Sequence, residues 1–316
     1  MKPFNVFPHD SRFDFLRLRW ISLTIAALML IGAIGAMAGK GFNFALDFTG
    51  GTMTELRFAK PADVDRVREQ LSAAGYEGPQ VQTLGTGTDL VVRLQPRKQA
   101  GGQAHTAEEI RKAASLADNP ATVVRSEFVG PQVGRDLAVN GIWALLLVVV
   151  GFLIYISFRF EWKFAVAAVM TTMHDVLVVA GWFAFTGHEF DLTVLAGLLS
   201  VMGYSINDTI VVFDRVRENF RSMRADPLTV LNTSINQTLS RTVITSFVAF
   251  LTVLALYLYG GGSLRGMAEA QILGIVIGTL STIFIACPLL TLGVLAVHKQ
   301  DLMPKARDEA ALARRP

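Results

Sequence analysis

The run LTVLAGLLSVMGYSINDTIVVF, Leu192–Phe213, decides how the chain is read. It is long enough to cross a hydrocarbon core of about 30 Å as a helix. Its first half is apolar, and then Asn207 and Asp208 stand side by side. Apolar residues surround them on every helical face, so the run reads as a membrane span with a charge inside it. An ionised Asp at the centre of a span costs about 2.5–3.5 kcal/mol, so Asp208 must face other protein rather than lipid.

Five further stretches have the same length and character: Trp20–Ala38, Leu137–Phe158, Phe164–Thr186, Thr242–Tyr259 and Ile272–Val297. The composition agrees, with 52% hydrophobic and 17% charged residues in a chain of 316. That balance is a polytopic membrane protein's. The net charge of +3 does not indicate nucleic acid, because the cations are scattered between apolar runs. Before the first span, Arg12, Arg17 and Arg19 precede an apolar core, and AMA at Ala36–Ala38 resembles a signal-peptidase site. The core is longer than the 7–15 residues or so of a signal peptide, so an uncleaved anchor is expected.

Lys and Arg near the span ends set orientation. They gather in the tail at 1–19 (Lys2, Arg12, Arg17, Arg19), in the connection with Arg159 and Lys163, in the connection with Arg215, Arg217, Arg221, Arg224 and Arg241, and in the tail at 298–316. The connection GHEFD has none, and GGGSLRGMAEA has Arg265 alone. Both termini are therefore expected in the cytoplasm, and the polar segment 39–136 outside. Asp214 and Arg215 read mainly as an interfacial anchor.

The outside segment has a legible order. ALDFTGGTMTELRF suggests a strand with a turn or bulge at Gly50–Gly51; PADVDRVREQLSAAG, opening on Pro61 and closing on Gly75, suggests a helix. PQVQTL and DLVVRLQ read as strands, TAEEIRKAASLA as a helix and ATVVRSEFV as a last strand. The sum is βαββαβ, a ferredoxin-like α+β domain between the first two spans. It carries no catalytic cluster: His105 sits in the polar loop Arg97–His105, and Gly50–Gly51 lacks the Lys of a phosphate loop. Cys287, alone, excludes an intrachain disulfide and a cysteine zinc site. No metal and no cofactor are expected, and no catalysis.

Inside the bilayer, span three holds His174 and Asp175, with Thr171 one turn before the carboxylate. Ser205, Asn207 and Asp208 form the expected buried polar face of span four, with Tyr204 one turn from Asp208. SRTVITS places Arg241 and Thr245 on one face of span five, with Thr242 and Ser246 adjoining. A long Arg side chain reaches about one and a half turns along a bundle, so an Asp208–Arg241 pair is expected, with the carboxylate able to take and release a proton. Asp175, Asn207, Ser205 and Thr245 are candidates for a supporting or structural role. Gly274 and Gly278 form GxxxG, which allows close helix contact.

The motifs DFTGGT (Asp47–Thr52), VGPQVG (Val129–Gly134), MHD (Met173–Asp175), GYSINDTIVVFDRVREN (Gly203–Asn219) and SRTVITS (Ser240–Ser246) come in order and span nearly the whole chain. In them the chain resembles the SecD/SecF family of bacterial protein-export membrane proteins, and the modest outside domain is similar to SecF rather than SecD. Asp47, Gly50 and Gly51 match the family's periplasmic motif. The resemblance implies an inner-membrane subunit among membrane lipids that joins SecD, associates with the SecYEG channel and assists export of unfolded polypeptides with the proton gradient as energy source. It also implies that Asp208 and Arg241 conduct protons, and a relation to the resistance-nodulation-division exporters. Three other readings stand beside it. An intramembrane aspartyl protease would use Asp175 and Asp208, although SIND is not its GxGD context. The others are half of a small-molecule or lipid exporter, and a passive scaffold.

Overall fold

The computed structural model describes residues 13–76, 78–84, 87–95, 106–116 and 118–297. The loop Arg97–His105 and the terminal cations Lys2, Arg12, Lys299, Lys305, Arg307, Arg314 and Arg315 lie outside the described residues. The chain divides into two units, one of residues 1–43, 145–188 and 193–316, the other of residues 44–144 and 189–192.

Six helical stretches are long and apolar enough to cross a membrane: Phe15–Gly39, Pro131–Arg159, Trp162–Thr186, Leu192–Ser222, Pro227–Tyr259 and Leu264–Leu289. They contain α1 (Arg19–Gly39), α5 (Pro131–Arg159), α6 (Trp162–Thr186), α7 (Leu192–Ser222), α8 (Pro227–Tyr259), α9 (Gly262–Ser281) and α10 (Cys287–Leu289). The crossings by α6, α7 and α9 are the most buried, and those by α1, α5 and α8 present apolar surface outward, as lipid-facing helices do. Small residues explain which helices meet closely. A Cβ on Gly181 of α6 would overlap Ala33 of α1, and one on Gly274 of α9 would overlap Val201 of α7. At Gly278 the added atom would lie 3.4 Å from the Ser205 Cβ. Gly274 thus requires the close approach of α9 to α7, with Gly278 at ordinary contact distance one turn on, and close packing replaces the hydrophobic drive that lipid cannot supply.

Several helices depart from the lengths read in the sequence: α5 begins at Pro131 rather than Leu137, and α7 runs past Phe213 to Ser222. The fifth crossing belongs to a helix that starts at Pro227, well before Thr242, because Asp226 caps it and Val230, Leu231, Ile235 and Leu239 bury an apolar stripe. The last crossing ends at Leu289 rather than Val297. Pro288 has no N–H to donate and its ring opposes the carbonyl one turn back, and the helix widens to a π turn over Thr282–Ala286 just before it. At one end of this unit Asn236 exchanges two bonds with the Phe13 backbone (3.0 and 2.8 Å) and Asn219 donates to Ser234 and Gln237 (2.8 and 2.9 Å). Arg159, joined to Asp214 at 3.2 Å, and Arg217 lie at that end as well.

The second unit holds β1 (Asn43–Phe44, from its second residue), α2 (Leu46–Thr49), β2 (Gly51–Phe58), α3 (Val64–Ala73), β3 (Gln80–Leu84), β4 (Asp89–Leu94), α4 (Ala107–Ala114), β5 (Ala121–Val129) and β6 (Glu189–Phe190). Four strands form an antiparallel sheet in the order β3-β4-β2-β5. Alternation along β4 sends Leu90, Val92 and Leu94 inward, where they meet Val67 and Leu71 of α3 and Ile110 and Ala114 of α4. Thr106 and Glu109 close a capping box at the start of α4.

Two expectations here need correction. ALDFTGGT does not begin a strand: Leu46–Thr49 is a helical turn, and β2 starts only at Gly51. The break at Gly50–Gly51 is real, with φ of 68° and 129°, and a Cβ on Gly50 would come 2.8 Å from the Pro131 Cα. Only glycine meets both conditions. Pro61 lies outside α3, which Asp63 caps, while Gly75 follows its end at φ 88° as expected.

Candidate functional site

The helical unit encloses a polar interior built by α6, α7, α8 and α9. Asp175 of α6 is fully buried. Its Oδ2 accepts from the hydroxyls of Ser205 and Ser281, each at 2.7 Å, and its Oδ1 lies 3.0 Å from His174 Nδ1. Both oxygens of the carboxylate thus have polar partners in a low-dielectric site. The other imidazole nitrogen, Nε2, is buried without a partner among the described residues.

Asp208 of α7 is equally enclosed, at 4% exposure, but is served differently. Among the described residues its Oδ2 has no hydrogen-bond partner. The expected ion pair with Arg241 is absent there: Arg241 is exposed on α8, and its charge acts on Asp208 only over a longer range. Arg241 lies in the long helix α8 among exposed positions, while Thr242 and Ser246 of the same helix are buried. Beside Asp208, Tyr204 Oη donates to Ser246 Oγ at 2.7 Å, Thr279 Oγ1 donates to the same oxygen at 2.8 Å, and Ser246 passes its own hydrogen to the Thr242 carbonyl at 2.7 Å. Thr209 Oγ1 and Thr282 Oγ1 meet at 3.3 Å.

Three further site residues fall elsewhere than expected. Asn207 is exposed, because one residue's step carries it about 100° around α7 from Asp208. Ser205 is buried as expected, yet its hydroxyl serves Asp175 rather than Asp208. Thr245 is exposed and bonds back to the Arg241 and Thr242 carbonyls, each at 3.0 Å, whereas Thr242 and Ser246 turn inward. The sequence reading also passed over Thr279, Ser281 and Thr282. Their signal is GTLST, three small hydroxyl residues directly behind the close-contact Gly278.

In the second unit Asp47 Oδ2 accepts from the Leu192 N–H at 3.1 Å, which makes it a cap. Gly50 and Gly51 serve close packing: Gly134 lets the backbone of Gly50 approach as well. Nearby, Glu189 pairs with Arg93, and burial pushes the Glu189 carboxyl above its ordinary range while the guanidinium opposes the rise. Among the described residues no group of His, Cys, Asp and Glu gathers as metal ligands.

Comparison with known proteins places this geometry. The family model described as "Protein export membrane protein SecD/SecF, C-terminal" matches residues 109–295, and the SecD/SecF GG motif matches residues 35–62. The chain is 42% identical to protein translocase subunit SecF of Escherichia coli O157:H7 over 302 residues, covering 95% of this chain and 93% of that one. It is 44% identical to the SecF subunit of Pseudomonas aeruginosa over 299 residues, or 93% and 95% of the two chains. Among solved structures, SecDF of Thermus thermophilus, described as a translocon-associated membrane protein, aligns with a TM-score of 0.81 at 36% identity over 90% of this chain. The chain spans 39% of that longer protein. From sequence, motif and fold together, the chain belongs to the SecD/SecF family of protein-export membrane proteins, among the SecF subunits.

Proposed function

We propose that this chain is the SecF-type auxiliary subunit of the bacterial Sec export machinery, converting the proton gradient into movement that assists unfolded polypeptides across the inner membrane. Its relatives' names and the family match support the export role, and the observation that carries the mechanism is Asp208: an intramembrane carboxyl, 4% exposed, with an oxygen left without a hydrogen-bond partner among the described residues. A carboxylate kept there at a cost of a few kcal/mol is a functional group by default. Asp208 binds and releases the proton, and Arg241 supplies a fixed positive charge at a distance. Asp175, with polar partners on both oxygens, serves as a second titratable or supporting group.

Asn207 is exposed within a crossing helix, where lipid contact is costly, and Arg241 is exposed at the edge of the apolar window Thr242–Tyr259. A second membrane half covers that face, and SecD is the partner whose relatives support the assignment. In this reading the sheet unit is a ferredoxin-like periplasmic domain, both termini are cytoplasmic, and the SecYEG channel is the site of action. The chain performs no catalysis of its own. Each charge crossing about 100 mV releases about 2.3 kcal/mol, enough to shift a helix-packing equilibrium.

The test is export into membrane vesicles with and without an imposed gradient. Asp208→Asn leaves assembly with the partner intact and abolishes the gradient-dependent part of export. Normal stimulation in that variant would sink the proposal.

A further inference from the structure

Gly278 of α9 offers one carbonyl to three donors. Its oxygen accepts from the Thr282 N–H, lies 3.1 Å from Ser281 Oγ and lies 2.9 Å from Thr282 Oγ1. A carbonyl has two lone pairs, so the two hydroxyls compete for what the backbone bond leaves. Each hydroxyl also has a second partner: Asp175 Oδ2 at 2.7 Å for Ser281, and Thr209 Oγ1 at 3.3 Å for Thr282. One hydroxyl carries one hydrogen, so each of the two points one way at a time.

We propose that Ser281 and Thr282 are positioning residues that couple Asp175 to Asp208 through the shared carbonyl of Gly278. The proposal rests on the reading of Asp208 as the proton site. With Asp175 ionised, Ser281 donates to its Oδ2 and Thr282 holds the Gly278 carbonyl. When Asp175 takes a proton on Oδ2, that oxygen donates to Ser281, whose hydrogen turns to Gly278. Thr282 then loses its place there and donates to Thr209, the residue after Asp208 on α7. No covalent bond changes beyond the proton on Asp175; hydroxyl dipoles reverse at Thr209, the chain neighbour of Asp208, and act on its carboxyl through a dry interior where dipoles act strongly. Gly278 faces Ser205 and Asp175 directly: a Cβ there would lie 3.4 Å from the Ser205 Cβ and 3.6 Å from Asp175 Oδ2.

The titratable side chains around the relay are His174 and Asp175 on α6 and Tyr204 and Asp208 on α7, with Arg241 the charged group of α8. From Gly274 to Leu289 the last span adds hydroxyls and the buried thiol of Cys287, and α1 adds no titratable group after Arg19.

The test is a double-mutant cycle in the full chain co-produced with its SecD-type partner, read by infrared difference titration of the Asp208 carboxyl band, which Asp208→Asn identifies. Asp175→Asn changes the proton affinity of Asp208 about fivefold when Ser281 and Thr282 are present. The change disappears in Ser281→Ala and in Thr282→Val, and Ser281→Thr, which keeps the hydroxyl, restores it. Thr282→Val carries the comparison if Ser281→Ala does not accumulate. An equal shift in all backgrounds means direct repulsion between the two carboxylates and overturns the relay, as does no shift in any. An Asp208 band that never titrates overturns the proton-site reading itself, a result distinct from an unmoved midpoint.

Discussion

Asp175 and Asp208 sit on consecutive crossings, and the difference between them is in what surrounds each carboxylate. Asp175 has two hydroxyls and an imidazole; Asp208 has an oxygen with no hydrogen-bond partner among the described residues and a cation at longer range. If Arg241 acts by charge alone, the shape of its head group matters less than its sign. Arg241→Gln is therefore expected to lower gradient-driven export about tenfold, equivalent to roughly 1.4 kcal/mol, while Arg241→Lys stays within about threefold. Equal losses in both would mean a two-pronged guanidinium contact forms during the cycle. That both carboxylates are buried was legible in the sequence, because an acid in an apolar run has few tolerable exposures. Their partners were not: the faces of Asn207 and Thr245 depend on how each helix is rotated against its neighbours. A span that is apolar all round carries no periodic signal of that rotation.

At the scale of elements, the helix from Pro227 shows what composition hides. Its first turns precede the apolar window and are fastened by Asp226, which accepts from the Thr229 N–H at 3.1 Å and hydroxyl at 2.6 Å. Those bonds hold the Asp226 carboxyl below its usual range, the hydroxyl's contribution first. A group whose folded value is depressed stabilises the fold above its unfolded value and loses that contribution as pH falls through the folded one. Protection of the first-turn amides of α8, measured against the intrinsic exchange rate at each pH, should therefore fall as pH drops below the usual carboxylate range, and Asp226→Asn should flatten that dependence. Protection factors that do not change with pH in the unmodified chain would remove Asp226 from the capping role. The sheet unit was legible in its order because turns and alternation mark it, whereas the helical turn Leu46–Thr49 was not. A four-residue helix is fixed by packing around Gly50 and Pro131, not by a period.

At the scale of the whole molecule, a chain of the SecD/SecF family buries two carboxyls, Asp175 and Asp208, inside its helical unit. In the proposed reading the exposed Asn207 and Arg241 meet a second membrane half, and gradient energy enters at Asp208. The most direct measurement is proton movement itself, followed with a pH-sensitive dye in liposomes holding this chain, its SecD-type partner and the export channel, with an unfolded polypeptide engaged. The account predicts proton uptake that follows export with the unmodified chain and falls to the background of empty liposomes with Asp208→Asn. Undiminished uptake in that variant would contradict it.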